Sequence, residues 1–147
     1  MKLASLLVLI LAFGGGVGYA EIGETEAQCE ALHGVPVSTF AAGQRSYTPY
    51  EVINFIKDGY KINSHFKDGK LSGLAFLKVD GSEINTDEIN ALLQENLDGN
   101  TWKEGAPDST TRTWIRSDGA RAFYSLDHRF LAIMGKEEAA GPVTKHT

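Results

Sequence analysis

The sequence predicts an α+β fold in which an antiparallel β-sheet, made of two three-stranded meanders, is covered on one face by two helices. Three observations predict it. Five Asp-Gly pairs after residue 50 mark tight turns, because both residues tolerate positive φ. Segments between them alternate apolar and polar residues as strands do. Two other segments combine helix caps with apolar stripes.

The first helix is predicted over residues 24–33. Thr25 and Gln28 have the spacing of a capping box, and a glycine follows the last helical residue. The second helix is predicted to begin at Asn85 as N-cap and to end at the Asp-Gly pair 98–99. Its apolar stripe consists of Ile89, Leu92, Leu93 and Leu97. We expect this stripe to pack on the sheet.

The first half of the chain contains three predicted strands, at residues 51–57, 60–66 and 71–79. The second of them alternates strictly, and the third is apolar on both faces, so the third should be central. The first has an alternative. Thr48, Pro49 and Glu51 also fit the start of a short helix over residues 48–56, and the sequence leaves strand and helix both open.

The second half repeats this order, with predicted strands at residues 112–116, 120–125 and 130–134. In each half a helix that ends near a glycine precedes an aromatic-containing strand, an Asp-Gly turn and two more strands. We therefore expect two α-β-β-β units, over about 24–79 and 84–135, that bury their faces together. They would form a single domain over residues 21–135.

Both ends of the chain are predicted to lie outside this domain. Lys2 precedes an apolar run of eleven residues, and Gly18-Tyr19-Ala20 has the small-x-small ending that a signal peptidase cuts. A membrane anchor is the alternative, but a span needs about 20 apolar residues. We expect cleavage near Ala20 (signal peptide 1–20), export to the periplasm or medium, and no stable membrane span afterwards. Residues 136–147 are predicted to be a disordered tail.

Composition excludes several classes of function. The formal net charge is −5, and loss of the leader removes one more cation, which argues against general nucleic-acid binding. Cys29 is the only cysteine, so an intramolecular disulfide is impossible, whereas a disulfide between two chains stays open. His33, His65 and His128 are scattered, and residues 80–87 lack the glycine of a calcium loop. We expect no metal and no cofactor.

Several segments resemble known proteins. CEALHGVP at 29–36 and FKDGK at 66–70, together with the helix at 85–99 and Trp102 after it, are similar to small exported bacterial proteins of unknown function. More remotely, a helix with Gly-x-Pro followed by a meander, given twice, resembles β-lactamase-inhibitor-protein-like tandem modules and small outer-membrane assembly lipoproteins. The resemblance implies protein binding without catalysis. The chain lacks the lipoproteins' lipid-bearing cysteine and the inhibitors' disulfides, so no partner is implied.

Cys29 is a candidate nucleophile, with His33, His65 or His128 as its base. Against this, it lies mid-helix on the face expected to pack, where a lone cysteine acts as a small hydrophobe. His33 stands at a helix C-terminus, where the macrodipole favours an imidazolium. We expect no catalytic residue and a non-enzymatic protein. A small envelope hydrolase, or a carrier of a ligand held between sheet and helices, is the alternative.

Charge is distributed unevenly along the chain. Residues 51–78 carry five Lys against three acids and residues 112–135 carry four Arg against two, whereas residues 79–111 carry one Lys against eight acids. If the helices cover one face of the sheet, the other face displays Lys61, His65 and Arg121. Our hypothesis is that this cationic face docks an acidic envelope or extracellular protein. The chain would then be a protein-binding or inhibitor-like module.

Overall fold

A computed structural model of the protein describes residues 18–44 and 49–141. The helices are α1 (Glu26–His33), α2 (Thr86–Gln94) and α3 (Lys136–Ala139). The strands are β1 (Ser38–Phe40), β2 (Glu51–Lys57), β3 (Tyr60–Lys67), β4 (Lys70–Lys78), β5 (Trp102–Glu104), β6 (Thr111–Arg116), β7 (Arg121–Ser125) and β8 (Phe130–Met134). None of the helices in these residues is long and apolar enough to cross a bilayer.

The predicted α+β class and the antiparallel sheet are confirmed. The sheet has eight strands in the order β1-β2-β3-β4-β8-β7-β6-β5, whereas six were predicted. The additional strands, β1 and β5, are edge strands of three residues each, too short to show a period of two in the sequence. Residues 51–57 form β2, so the strand interpretation of this segment is correct and the helix alternative is wrong.

The order of elements repeats once along the chain. A helix followed by four strands occurs twice, so each unit has one strand more than the predicted α-β-β-β. The two units meet where β4 pairs with β8, in the middle of the sheet. The first unit therefore fills one half of a single sheet, and the second unit fills the other half in reverse order.

The core lies between α1, α2 and one face of the sheet. Ile62 on β3 is opposite core residues on both neighbouring strands, and the row that contains it runs from β2 to β7. The row consists of Phe55, Ile62, Phe76, Leu131 and Tyr124. Cys29 of α1 and Ile89, Leu92 and Leu93 of α2 belong to the same buried cluster. The two longer helices therefore cover the same face.

Helix ends follow the capping chemistry of the sequence. Thr25 accepts from the backbone N–H of Gln28 and the Gln28 side chain accepts from Thr25, so the predicted capping box forms. Asn85 accepts from the backbone N–H of Glu88 at 2.9 Å. Helix α2 ends at Gln94, four residues before the predicted end. The chain turns there because the fully buried Asn96 bonds the Ile22 backbone N–H instead.

The Asp-Gly pairs shape the hairpins. At the turns from β2 to β3 and from β3 to β4, both residues of the pair have positive φ, as type I′ turns require. Asp58 and Gly59 have φ of 52° and 82°, and Asp68 and Gly69 have 52° and 75°. The residues that flank each turn pair with one another, Lys57 with Tyr60 and Lys67 with Lys70. The turns therefore set the register of the strands, and the register decides which residues face the core.

Both predicted boundaries of the domain differ from the structure. Tyr19 and Ala20, assigned to the leader by the sequence, pack against the core. At the other end, residues predicted to be a disordered tail form α3, because Glu138 bonds His65 and the Gly135 N–H bonds the Ser72 carbonyl at 2.7 Å. The remaining parts of the predicted leader and tail, 1–17 and 142–147, lie outside the described residues.

Candidate functional site

The three predicted contact residues lie on one face of the sheet, opposite α1 and α2. We call this the open face. Its central strands contribute three cross-strand rows of side chains. These rows are Lys61–Leu77–Phe130–Ser125, Asn63–Ala75–Ala132–Phe123–Thr113 and His65–Gly73–Met134–Arg121–Ile115. His65 and Arg121 share a row, separated by three strand spacings or about 14 Å.

Lys61 stands at one end of the open face and is exposed. It borders a shallow depression of about 570 Å³. The lining of this depression consists of Asn54, Lys61, Asn63, Ala75, Leu77, His128 and Phe130. Small side chains on the central strands deepen it, whereas Leu77 and Phe130 form an apolar wall beside the Lys61 ammonium.

Arg121 is exposed on β7, in the row that also contains Met134 and Ile115. Lys103, opposite Ile115 on β5, extends this row with a second exposed cation. Lys103 could not be assigned to a face from the sequence, because the three-residue β5 is too short to show alternation. Within residues 18–44 and 49–141, neither lysine nor Arg121 makes an ion pair: Lys61, Lys103 and Arg121 are all unneutralised.

Exposed apolar side chains lie beside these cations on the open face. Ile56 and Ile115 are 49% and 51% exposed, which is unusual for β-branched residues in the interior of paired strands. Phe123 and Phe130 meet edge to face with centroids 5.4 Å apart and stay partly exposed. Apolar sheet faces are normally covered by a second layer. Among the described residues, α3 is the one helix that lies on this side, and it lies at one end.

The His65 ring on the open face is held by three neighbouring side chains. Its Nδ1 lies 2.8 Å from Glu138 Oε1 and its Nε2 lies 2.7 Å from Asn63 Oδ1, while the Tyr50 ring stacks on it at 5.7 Å. His65 lies on the open face as expected, and α3, predicted to be a disordered tail, folds back over it. Its role as a contact residue stays a prediction. The cationic part of the open face consists of Lys61, Lys103 and Arg121.

Gly73 makes room for this contact. A Cβ at position 73 would clash with the Glu138 carboxylate, which reaches down to the backbone of β4. Gly73→Ala is expected to push the flexible Glu138 carboxylate off His65 and loosen α3, at a cost of about 1.5 kcal/mol in the free energy of unfolding, the contribution of that hydrogen bond. Hydrogen exchange of the Ala139 amide, which donates to the Gly135 carbonyl, would report the displacement directly.

Glu138→Ala is the matched background for this test, since it removes the clash without touching the strand. In Glu138→Ala protein, Gly73→Ala should cost less than about 1 kcal/mol, because alanine has no steric conflict left. Equal costs in the two backgrounds would show that Gly73 does not accommodate α3.

The candidate nucleophile is inaccessible. Cys29 is fully buried, as predicted, and burial raises the pKa of its thiol to about 12. A thiol in that state forms no thiolate near neutral pH, and the thiolate is the nucleophile. His65 and His128 lie on the other side of the sheet from this residue, on the open face and its adjoining turn. Neither of them can therefore serve Cys29 as a base. His33, one turn after Cys29 on α1, is buried on the same side of the sheet as Cys29.

His33 is also different from the sequence expectation. It is 4% exposed, and its Nε2 accepts a hydrogen bond from the Ala20 backbone N–H at 2.9 Å. Burial, reinforced by the nearby Lys57 ammonium, lowers the pKa of His33 to about 4. The expectation of an imidazolium at this helix end is therefore wrong, since desolvation outweighs the macrodipole.

The described His, Cys, Asp and Glu side chains are too far apart to form a metal site. Across 18–44 and 49–141, no three side chains of His, Cys, Asp or Glu are grouped so that they could hold a metal ion. A cleft of about 550 Å³ lies at the start of β4 and is lined by several charged residues. Its arginine, Arg116, already donates from Nε and Nη2 to Asp118, each at 2.7 Å.

Comparison with known proteins gives little. No family model and no curated protein matches the sequence. An extracellular protein containing an SCP domain from Bacillus anthracis str. Ames is structurally similar, with a TM-score of 0.45 and 15% identity. The similarity covers 84% of this chain and 50% of that one, so this chain spans about half the length of that structure. Similarity at this level establishes neither family nor function, and the resemblance to inhibitor-like tandem modules stays a prediction.

Proposed function

We propose that this protein is an exported, non-catalytic binding module whose open face docks an acidic partner protein. The observation that carries the proposal is the combination on one sheet face of uncovered apolar side chains with three cations, Lys61, Lys103 and Arg121, that make no ion pair among the described residues. Apolar area supplies affinity, and surrounding charge supplies steering and selectivity.

Charge separation between the two sides of the molecule supports an acidic partner. The helix-bearing side exposes Glu30, Glu83 and Asp87, whereas α3 brings two acids to the open-face side: Glu138, which is bonded to His65, and Glu137, which is exposed. The chain is anionic as a whole, so acidic proteins are repelled at long range except towards the open face. An acidic surface would therefore be oriented during encounter.

The dimensions of the open face suit a protein rather than a small ligand. Eight strands spaced at 4.8 Å and five residues of strand length give a face of roughly 34 by 17 Å. That flat area of roughly 580 Å² is of the same order as the ~800 Å² that each partner buries in a standard interface. The depression beside Lys61 is shallow, whereas a carrier of small ligands would enclose its cargo.

The alternative of an envelope hydrolase has weaker support. Its best nucleophile, Cys29, is buried with a raised thiol pKa, and His33 is buried and neutral. Thiol alkylation of the folded protein separates the two functions. Rapid modification of Cys29 would favour the hydrolase, and protection until unfolding agrees with the binding module.

Reversing charge on the open face is expected to abolish partner capture. In affinity capture from envelope extract, Lys61→Glu/Arg121→Glu bait should recover the wild-type partner at least tenfold less well, since two favourable charge contacts become repulsive. Lys67→Glu/Lys70→Glu is the matched control, because it makes the same change in net charge at the exposed turn between β3 and β4.

Three outcomes of this capture experiment are informative. Loss with the open-face pair and retention with the control pair supports the proposed site. Equal capture by all three baits would exclude docking at the open face, and equal loss in both variants would show that net charge, not position, governs capture.

A further inference from the structure

Tyr19 lies inside the folded domain. Its ring packs edge-on against Phe76, with centroids 5.3 Å apart, and against Tyr60 at 6.1 Å. Its hydroxyl donates to Asp58 Oδ2 at 3.2 Å, and the Lys57 ammonium lies 5.2 Å from the ring centroid. Burial, together with the Asp58 carboxylate, raises the pKa of Tyr19 to about 12. The ring thus covers two core aromatics.

Ala20 is more deeply placed. It is fully buried, and its backbone N–H donates to Nε2 of His33, itself buried. Two residues further on, the Ile22 N–H donates at 3.1 Å to Oδ1 of Asn96, whose side chain is also fully buried. This segment therefore satisfies buried polar groups on α1 and after α2, and joins the two units of the fold.

A cut after Ala20, the bond that the sequence pattern favours, would remove these contacts. His33 Nε2 would lose its donor while its Nδ1 already has no partner, and a buried polar group without a hydrogen bond is costly. Phe76 and Tyr60 would lose the Tyr19 ring that covers them. The new charged terminus at Glu21 would also sit beside the apolar hole left by Ala20.

We propose that the mature chain retains Tyr19 and Ala20, because signal peptidase cuts upstream at Gly16–Val17 or Gly18–Tyr19. Both bonds follow a small-x-small sequence, Gly14-Gly15-Gly16 and Gly16-Val17-Gly18 respectively. The peptidase adds water across the amide: the C–N bond breaks, the leader leaves with a terminal carboxylate, and the mature chain begins with an ammonium group. The inference rests on the export part of the proposed function and is independent of the open face.

Glu95 agrees with a terminus at this position. A Cβ on Gly18 would lie 2.7 Å from Glu95 Oε2, so a carboxylate faces the backbone immediately before Tyr19. The Lys57 ammonium bonds the Gly18 and Leu32 carbonyls on the same side. A cut between Gly18 and Tyr19 would place the new ammonium group of Tyr19 beside this Glu95 carboxylate.

The first test is the identity of the processed terminus. The full chain, with a C-terminal tag, would be exported from a bacterial host, purified from the periplasm or medium, and analysed by intact mass and N-terminal sequencing. A terminus at Val17 or Tyr19 supports the proposal. A terminus at Glu21, or an unprocessed chain, overturns it. Partner capture is not involved, so failure here leaves the open-face proposal to its own experiment.

The second test asks whether residue 19 acts in the mature protein. Tyr19→Ala and Tyr19→Phe would be made in the full exported chain, and Tm would be measured on the processed products. Tyr19→Ala should lower Tm by about 10 °C, and Tyr19→Phe, which keeps the ring contacts, by only a few degrees. If residue 19 leaves with the leader, all three proteins have the same mature sequence and the same Tm, which would overturn the proposal.

Discussion

Replacing Asp118 by asparagine is expected to lower the free energy of unfolding by about 3 kcal/mol, although Asp118 itself is largely exposed. The reason is its partner. Arg116 is 3% exposed, donates from Nε and Nη2 to the two Asp118 oxygens, and donates from Nη1 to the Asn96 carbonyl at 2.9 Å. The variant leaves a buried guanidinium without its counter-charge. Denaturant unfolding at pH 7 would measure the loss.

The same geometry predicts an asymmetry. Arg116→Met should cost less than Asp118→Asn, because the carboxylate that remains can hydrate and still accepts from the Ala120 N–H. The matched control is Glu104→Gln, which breaks the exposed pair of Arg112 and Glu104 on the neighbouring strands and should cost under 1 kcal/mol. A cost for Asp118→Asn no larger than that of this control would contradict the role assigned to burial.

Stability should fall steeply as the pH drops from about 6.5 to about 4, because of His33. The pKa of His33 is lowered to about 4 in the folded protein, whereas the unfolded chain takes up the proton near 6.5. Between these values the unfolded state binds more protons, so stability rises with pH. This difference of two and a half pKa units corresponds to a contribution of roughly 3 kcal/mol to the free energy of unfolding. The contribution is present in full above pH 6.5 and is lost by about pH 4.

His33→Gln tests this assignment, since its amide oxygen can still accept from the Ala20 N–H and does not titrate. The difference in unfolding free energy between pH 7 and pH 4.5 should shrink by roughly 2 kcal/mol in this variant. His128→Gln, at an exposed position, is the control and should reproduce the wild-type pH dependence. An unchanged slope in His33→Gln would mean that other groups cause the acid loss.

Local chemistry in the sequence was sufficient to predict most of the fold. Capping residues Thr25 and Asn85 and the paired Asp-Gly turns at 58–59 and 68–69 specify conformations within a few residues, so they are visible without tertiary structure. Edge strands β1 and β5 were missed because three residues carry no period and are held by pairing with β2 and β6. Pairing across a sheet is not encoded locally.

On the open face, too, local patterns could be predicted from the sequence and long-range contacts could not. Alternation along β3 and β7 was enough to place Lys61 and Arg121 on one side, because side chains in a strand change face at every residue. The contact of His65 with Glu138 joins residues 73 positions apart and depends on the space left at Gly73. The composition of residues 136–147 suggests a solvated tail. It reveals neither the long-range contact of Glu138 with His65 nor the space at Gly73 that permits it.

The central pairing of β4 with β8 has a consequence for biogenesis. Strand β8 is the last strand in the described part of the chain, yet it lies in the middle of the sheet, so the two halves stay unjoined until residue 134 is present. Long-range strand pairing is slow because a large loop must close first. If the chain is exported as we propose, its two half-sheets can be joined only after residue 134 has left the secretion pore.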